Sequence, residues 1–180
     1  AYAKGVELRG KTIGIIGFGR IGRETAKIAL GVGMNVLACD KAIKKTDIKL
    51  DFGNGKTIDF NIKISSFLDV LKKSDFISLH VPAQKEYIIN KKEFNLMKDG
   101  VGIINAARGG VINELELLAA LDSGKVSFAG LDTFENEPKP DIKLLMHPNI
   151  SLTPHIGAAT NEAQDRIGLE LAEQIINILK

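Results

Sequence analysis

This sequence has little with which to cross-link, insert or adhere. Of its 180 residues only Cys39 is a cysteine, so no disulfide can form within the chain and a reducing, cytoplasmic setting is expected. Cys39 lies inside an apolar run and reads as a small buried hydrophobe. Charge of one sign is also missing. The 24 Lys and Arg nearly balance the 22 Asp and Glu, for a net charge of +2, which predicts no nucleic-acid surface and no acidic partner. No apolar run is long enough to span a bilayer, and the first residues do not have the pattern of a signal peptide, so a soluble chain without membrane contact is expected. No spacing of His, Cys, Asp and Glu suggests a metal site. No serine elbow or Cys/His pair points to covalent catalysis, and there is no internal repeat, low-complexity tract or linker.

What is present is an alternation of short apolar runs with amphipathic segments, in a chain that is 44% hydrophobic and 26% charged. That is ordinary for a globular domain with a sizeable core. The runs at 12–17, 35–39, 76–81, 101–105, 127–131 and 150–152 read as parallel strands. The segments at 20–30, 66–73, 91–97, 114–123 and 159–179 read as the helices that join them. Ser65 or Ser66 and Asn113 are candidate N-caps, and Gly124 a candidate stop. The expected fold is α/β, a doubly wound parallel sheet forming one domain over 1–180. Residues 47–62 break the rhythm: two alternating apolar–polar runs flank Gly53-Asn54-Gly55, which predicts a β-hairpin where such folds place a helix. Lys41, Lys44 and Lys45 precede it and are read as a solvated loop in preference to a phosphate-contacting patch.

The first strand runs into Gly17-Phe18-Gly19-Arg20-Ile21-Gly22, and the second ends at Asp40, 23 residues beyond Gly17. Gly17 suits a tight turn, Gly19 lets backbone approach a pyrophosphate, and Gly22 lets helix pack closely on strand. The helix N-terminus would face the phosphates. A carboxylate at 40 suits the two ribose hydroxyls of NAD and opposes a 2′-phosphate. Three further clusters follow strand ends, where ligands of open α/β sheets bind. Asn105-Ala106-Ala107-Arg108-Gly109-Gly110 offers a flat backbone and an arginine fork, and reads equally as a surface turn. Asp132 to Pro138, with acids at 132, 135 and 137, reads as loop solvation. His155, in Pro154-His155-Ile156-Gly157-Ala158, is either a structural histidine or a proton carrier for carbonyl–alcohol chemistry. His80, beside Val81-Pro82, lines the adenine side of the cleft or packs in the core, and His147 sits in a turn.

Together these residues resemble the D-isomer-specific 2-hydroxyacid dehydrogenases. The carriers are the run from Leu8 to Gly22, Leu79-His80-Val81-Pro82, Asn105-Ala106-Ala107-Arg108-Gly109, the run from Gly130 to Pro138, and Thr153-Pro154-His155-Ile156-Gly157-Ala158. The closing run from His155 to Gln164 is most similar to that of the D-3-phosphoglycerate dehydrogenases, which would imply 3-phosphoglycerate as substrate and a place in serine biosynthesis. The resemblance implies that Arg108 orients the carboxylate and carbonyl of a small 2-hydroxy or 2-keto acid. His155 would be the acid/base, and Glu137 would pair with it and keep it protonated, leaving Glu135 solvated. NAD would be held by Gly17, Gly19, Arg20, Ile21, Gly22, Asp40, His80, Val81, Pro82, Ala106, Ala107, Arg108, Asp132, His155, Gly157 and Ala158. Arg20 and Ile21 would present their N–H groups to the pyrophosphate. The resemblance also implies a homodimer built through this domain. Three departures stand out: Lys41 follows Asp40 where proline is usual, the hairpin at 47–62 replaces the expected helix, and the substrate domain that family members wrap around this core is absent, so this chain alone is expected to be inactive. Two other readings differ in kind, an NADP-dependent glyoxylate or hydroxypyruvate reductase and a non-enzymatic NAD-sensing module of the corepressor type.

Overall fold

The computed structural model describes residues 5–179. Six strands run parallel in the order β2-β1-β5-β6-β7-β8. They are β1 (Thr12–Ile16), β2 (Asn35–Cys39), β5 (Phe76–Leu79), β6 (Val101–Asn105), β7 (Val126–Leu131) and β8 (Ile150–Leu152). The helices are α1 (Arg20–Gly31), α2 (Phe67–Lys73), α3 (Lys91–Leu96), α4 (Glu114–Asp122), α5 (Ile142–Leu145) and α6 (Asn161–Leu179). Side chains alternate between the faces of a strand. Ile13 and Ile15 of β1 therefore join one core, with Phe18, Ala26 and Ala29, while Ile16 joins the other, with Val70, Leu71, Ile77 and Leu79. Burial on both faces explains why these strands are continuous apolar runs.

Most expected elements form within a residue or two. The strand expected over 76–81 stops at Leu79, because its partner β1 ends at Ile16, opposite Leu79, and turns away at Gly17. The long helix begins at Asn161 instead of 159. The short α5 was not anticipated; Asp141 caps it by accepting the Lys143 N–H at 2.7 Å, and Leu144 is fully buried. Ser66 proves to be the α2 cap, its hydroxyl accepting the Asp69 N–H at 3.0 Å, and Gly124 ends α4 with φ +76°. A Ser66→Ala variant is expected to lose about 1 kcal/mol of stability, read as a lower denaturant midpoint at unchanged slope.

The hairpin is real. Strands β3 (Lys45–Asp51) and β4 (Thr57–Lys63) pair antiparallel as a separate sheet, with Ile48 opposite Phe60. Ile48 and Ile62 are buried in the core that α1 covers, so two strands do the covering that a helix does elsewhere.

The topology gathers the candidate residues. The chain leaves β1 toward β2 on one side and returns to β5 on the other, so the order reverses beside β1. That is where open α/β sheets bind ligands. The Gly17–Gly22 turn, Asp40, His80, residues 105–110, Asp132 and His155 all follow the carboxyl ends of strands in this one sheet.

Candidate active site

The glycine turn is built by close contact. Gly17 has φ +91°, and a Cβ there would overlap the His80 carbonyl oxygen. A Cβ on Gly22 would overlap the Gly17 carbonyl and press on Ile15. Gly19 faces open space, with nothing within 4 Å of where its Cβ would lie. Helices α2, α3, α4 and α5 each start with a side chain accepting an N–H, from Ser66, Asn90, Asn113 and Asp141. Helix α1 has no such cap and no acid in its first turn. Its leading N–H groups, including those of Arg20 and Ile21, are thus offered outward beside a turn stripped of side chains, which fits a pyrophosphate. The Arg20 guanidinium itself pairs with Glu170 of α6 at 3.0 Å.

Asp40, expected to bind ribose, has structural partners of its own. Its carboxylate accepts the N–H groups of Phe18 (2.7 Å), Ala42 (2.8 Å) and Ile43 (3.0 Å). It therefore stitches the glycine turn to the turn after β2. Burial pushes its pKa up, but these three donors and the Arg23 charge outweigh that and hold it below the usual carboxylate range. Next to it, burial pushes the Cys39 thiol up to about 11, so this cysteine is inert packing. His80 is also drawn inward: burial holds its pKa below the ordinary value, and Nε2 lies 2.9 Å from the Ser78 hydroxyl. Val81 packs against Gly17 and the core, and Pro82 is exposed beside it.

After β6, Asn105 shapes the loop, its Oδ1 accepting the Ala107 N–H and its Nδ2 donating to the Arg108 carbonyl. Ala106 is exposed, whereas Ala107 is buried in the core. The Arg108 side chain is exposed and folded onto the Ala107 carbonyl at 2.6 Å.

His155 is held in an unusual backbone conformation, φ 55°. A residue other than glycine pays for this region unless its surroundings enforce it. Asp132 does so: buried at the end of β7, it accepts the Thr153 hydroxyl and the N–H groups of Ile156 and Gly157, both at 2.8 Å. Burial pushes the Asp132 carboxyl up, but these donors and the His155 charge bring it below its ordinary value. Asp132 thus works through the His155 turn; Gly157 sits directly on it, and Ala158 is exposed beyond.

The His155 Nδ1 meets Glu137 Oε2 at 2.8 Å, and Glu137 Oε1 accepts the Phe134 N–H at 2.9 Å. The His155 bond first, then the Phe134 N–H, holds the Glu137 carboxyl below the usual range. With Nδ1 committed, the other ring nitrogen of this half-exposed histidine is the one available to a substrate. Beside the pair is a cavity of about 380 Å³ walled by Phe134, Pro138, Pro140, Leu145, Leu152 and Pro154.

The reading of the 132–138 acids as loop solvation is overturned at Asp132, which is buried, and at Glu135. Glu135 is not a solvated acid: its Oε1 accepts the Glu114 N–H at 2.9 Å and its Oε2 the Tyr87 hydroxyl at 3.1 Å. The loop folds back on α4, so a residue 21 positions away becomes its partner. Glu114 and Tyr87 belong to none of the sequence motifs above, and Thr153 enters them only as the first residue of the His155 run. Only Glu114 left a local signal, as an acid in the first turn after the Asn113 cap. Among the described residues, no group of His, Cys, Asp and Glu is placed to hold a metal ion.

The family model described as D-isomer specific 2-hydroxyacid dehydrogenase, NAD binding domain, matches residues 1–157. Hydroxypyruvate reductase of Thermotoga maritima is 49% identical over 181 residues, covering 98% of this chain and 55% of that protein. D-3-phosphoglycerate dehydrogenase of Archaeoglobus fulgidus is 45% identical, covering 98% of this chain and 32% of that protein. Among solved structures, D-2-hydroxyisocaproate dehydrogenase superposes with a TM-score of 0.82 at 32% identity, over 99% of this chain and 56% of its own. A glyoxylate reductase from Paecilomyes thermophila gives 0.80 at 40% identity, over 93% and 48%. The chain therefore spans from about a third to about half the length of these curated relatives.

Proposed function

This chain belongs to the D-isomer-specific 2-hydroxyacid dehydrogenases as their NAD-binding domain, and from that premise we propose that it carries the acid/base half of a reversible 2-hydroxy acid oxidation. The observation that supports this most directly is the 2.8 Å contact between His155 Nδ1 and Glu137, at the strand edge that also bears the uncapped α1. Bound NAD supplies the hydride acceptor. The chain's own residues do the rest. The α1 N-terminus and the Gly17–Gly22 turn would hold the pyrophosphate, and Asp40 would bind the ribose. In the oxidation direction the free nitrogen of His155 takes the substrate hydroxyl proton as the C2–H bond breaks. Glu137 stabilises the imidazolium so formed, and the same proton returns to the carbonyl oxygen in reduction. Arg108 leaves the Ala107 carbonyl to pair with the substrate carboxylate, for which a planar fork is suited.

For the substrate we propose 3-phosphoglycerate, on the similarity of the run from His155 to Gln164 and the 45% identity to a protein that bears that name. A second reading, hydroxypyruvate, is favoured by the relative at 49% and by the walls of the cavity beside His155, which carry no Lys or Arg. In the first reading, phosphate contacts come from the substrate domain. The experiment is to measure kcat/KM of the full-length protein on 3-phosphoglycerate and on hydroxypyruvate, and to titrate NAD and NADP separately. We expect preference for 3-phosphoglycerate and for NAD. Preference for hydroxypyruvate would move the assignment to the second reading, preference for NADP would remove the role given to Asp40, and NAD binding without turnover would favour a sensing module. Assembly as a cytoplasmic homodimer through this domain is part of the same proposal.

A further inference from the structure

The loop that carries Glu137 has no secondary structure of its own, so something else must set its position. Three neighbours do. Glu135 and Glu114 exchange bonds: the Glu114 N–H donates to Glu135 Oε1 at 2.9 Å, and the Glu135 N–H donates to Glu114 Oε1 at 2.8 Å. The Asn113 cap takes the N–H groups of Leu115 and Glu116, which leaves the Glu114 N–H as the open donor that Glu135 fills. Tyr87, reaching from the segment before α3, donates its hydroxyl to the second Glu135 oxygen. On a third side the glycine after Arg108 is in contact: a Cβ on Gly109 would overlap the Phe134 carbonyl and come within 3.0 Å of the Glu135 nitrogen.

Two carboxylates this close would repel if their only role were solvation. Burial, opposed by the Glu135 N–H and reinforced by the charges of Glu135, Asp141 and Glu137, holds the Glu114 carboxyl above its usual range. The arrangement accepts that cost at one place, two residues from Glu137. It also ties together the three loops that carry Arg108, Tyr87 and Glu137.

We propose that Glu135 is a positioning residue for the acid/base pair: by closing the α4 N-terminus and taking the Tyr87 hydroxyl, it sets the 133–138 loop where Glu137 meets His155. The proposal rests on the roles given above to Glu137 and His155. A carboxylate displaced by about 1 Å from a catalytic histidine loses much of its effect, whereas the cofactor turn at 17–22 is built independently of this loop.

The test is steady-state kinetics of the full-length dehydrogenase with Glu135→Ala, Glu135→Asp and Glu135→Gln, and with Glu137→Gln as reference. In Glu135→Ala we expect kcat to fall roughly ten- to a hundredfold while KM for NAD stays within about twofold of the parent. Glu135→Gln should restore most of the rate, because its amide oxygen still accepts the Glu114 N–H. Should Glu135→Ala fail to fold, Glu135→Asp decides, as its shorter arm keeps the charge but not the reach; we expect an intermediate kcat. Parental kcat in folded Glu135→Asp or Glu135→Ala, with Glu137→Gln impaired, would overturn the proposal and leave the acid/base assignment standing. A parallel loss of kcat and NAD affinity would also overturn it, since that marks general damage to the fold. Unimpaired turnover in Glu137→Gln would instead remove the assignment on which the proposal rests.

Discussion

In the full-length protein His155→Ala is expected to lower kcat by roughly a thousandfold, within the range of a positioned general acid/base, with NAD affinity nearly unchanged. The asymmetry follows from the architecture. In the proposed site NAD rests on the uncapped start of α1, the glycine turn and Asp40, whereas His155 follows β8 at the other end of the sheet. Its imidazole is bound to Glu137 and to no residue of the glycine turn. Glu137→Gln should be milder, since a glutamine can still accept from Nδ1 but cannot stabilise the imidazolium. Turnover numbers with NAD saturating, together with direct NAD titration of each variant, check the claim. An unaffected kcat in His155→Ala would refute the acid/base assignment, and a large loss of NAD affinity would show that His155 serves the cofactor.

Asp132→Ala is expected to cost both stability and rate. Removing the carboxylate leaves the Ile156 and Gly157 N–H groups without their partner, at about 1–3 kcal/mol each. Release of the strained His155 backbone returns about 1 kcal/mol, so a net loss of roughly 1–5 kcal/mol is anticipated from denaturant unfolding. The rate should fall by roughly a hundredfold, because the histidine is no longer forced into its turn. The pH dependence has a definite sign. The folded pKa of Asp132 lies below its ordinary value, so its contribution is fully present above the unfolded pKa of about 3.9 and is lost as pH falls through the lower folded value. The parent should therefore lose stability below about pH 4 more steeply than Asp132→Ala does. Equal slopes would show that Asp132 is not the carboxylate whose bonds are lost in acid.

The comparison of sequence with structure separates along the same lines. Hydrophobic period and turn chemistry are local, so the six strands, the long helices and the 47–62 hairpin could all be read in advance. Where a signal is short or an end is set by a neighbour, reading fails by a few residues, as at the end of β5 and at α5. The candidate site divides in the same way. The glycine turn, Asp40 and His155 each follow a strand end and were legible as candidates. The assignment of Glu135 to solvent failed because nothing near position 135 announces a partner at 114 or 87.

By itself the sequence determined the alternation of strands and helices, the dinucleotide turn and the residue types available for chemistry, because each is written in spacings shorter than one supersecondary unit. Only the tertiary structure decided which donors each carboxylate takes, beyond the Glu137–His155 pairing that the family resemblance implies. Asp40 stitches two turns, Asp132 holds the His155 backbone, Glu137 meets the imidazole and Glu135 seals a helix. Those roles depend on donors brought within 3 Å from distant parts of the chain, and such meetings exist only once the sheet has assembled.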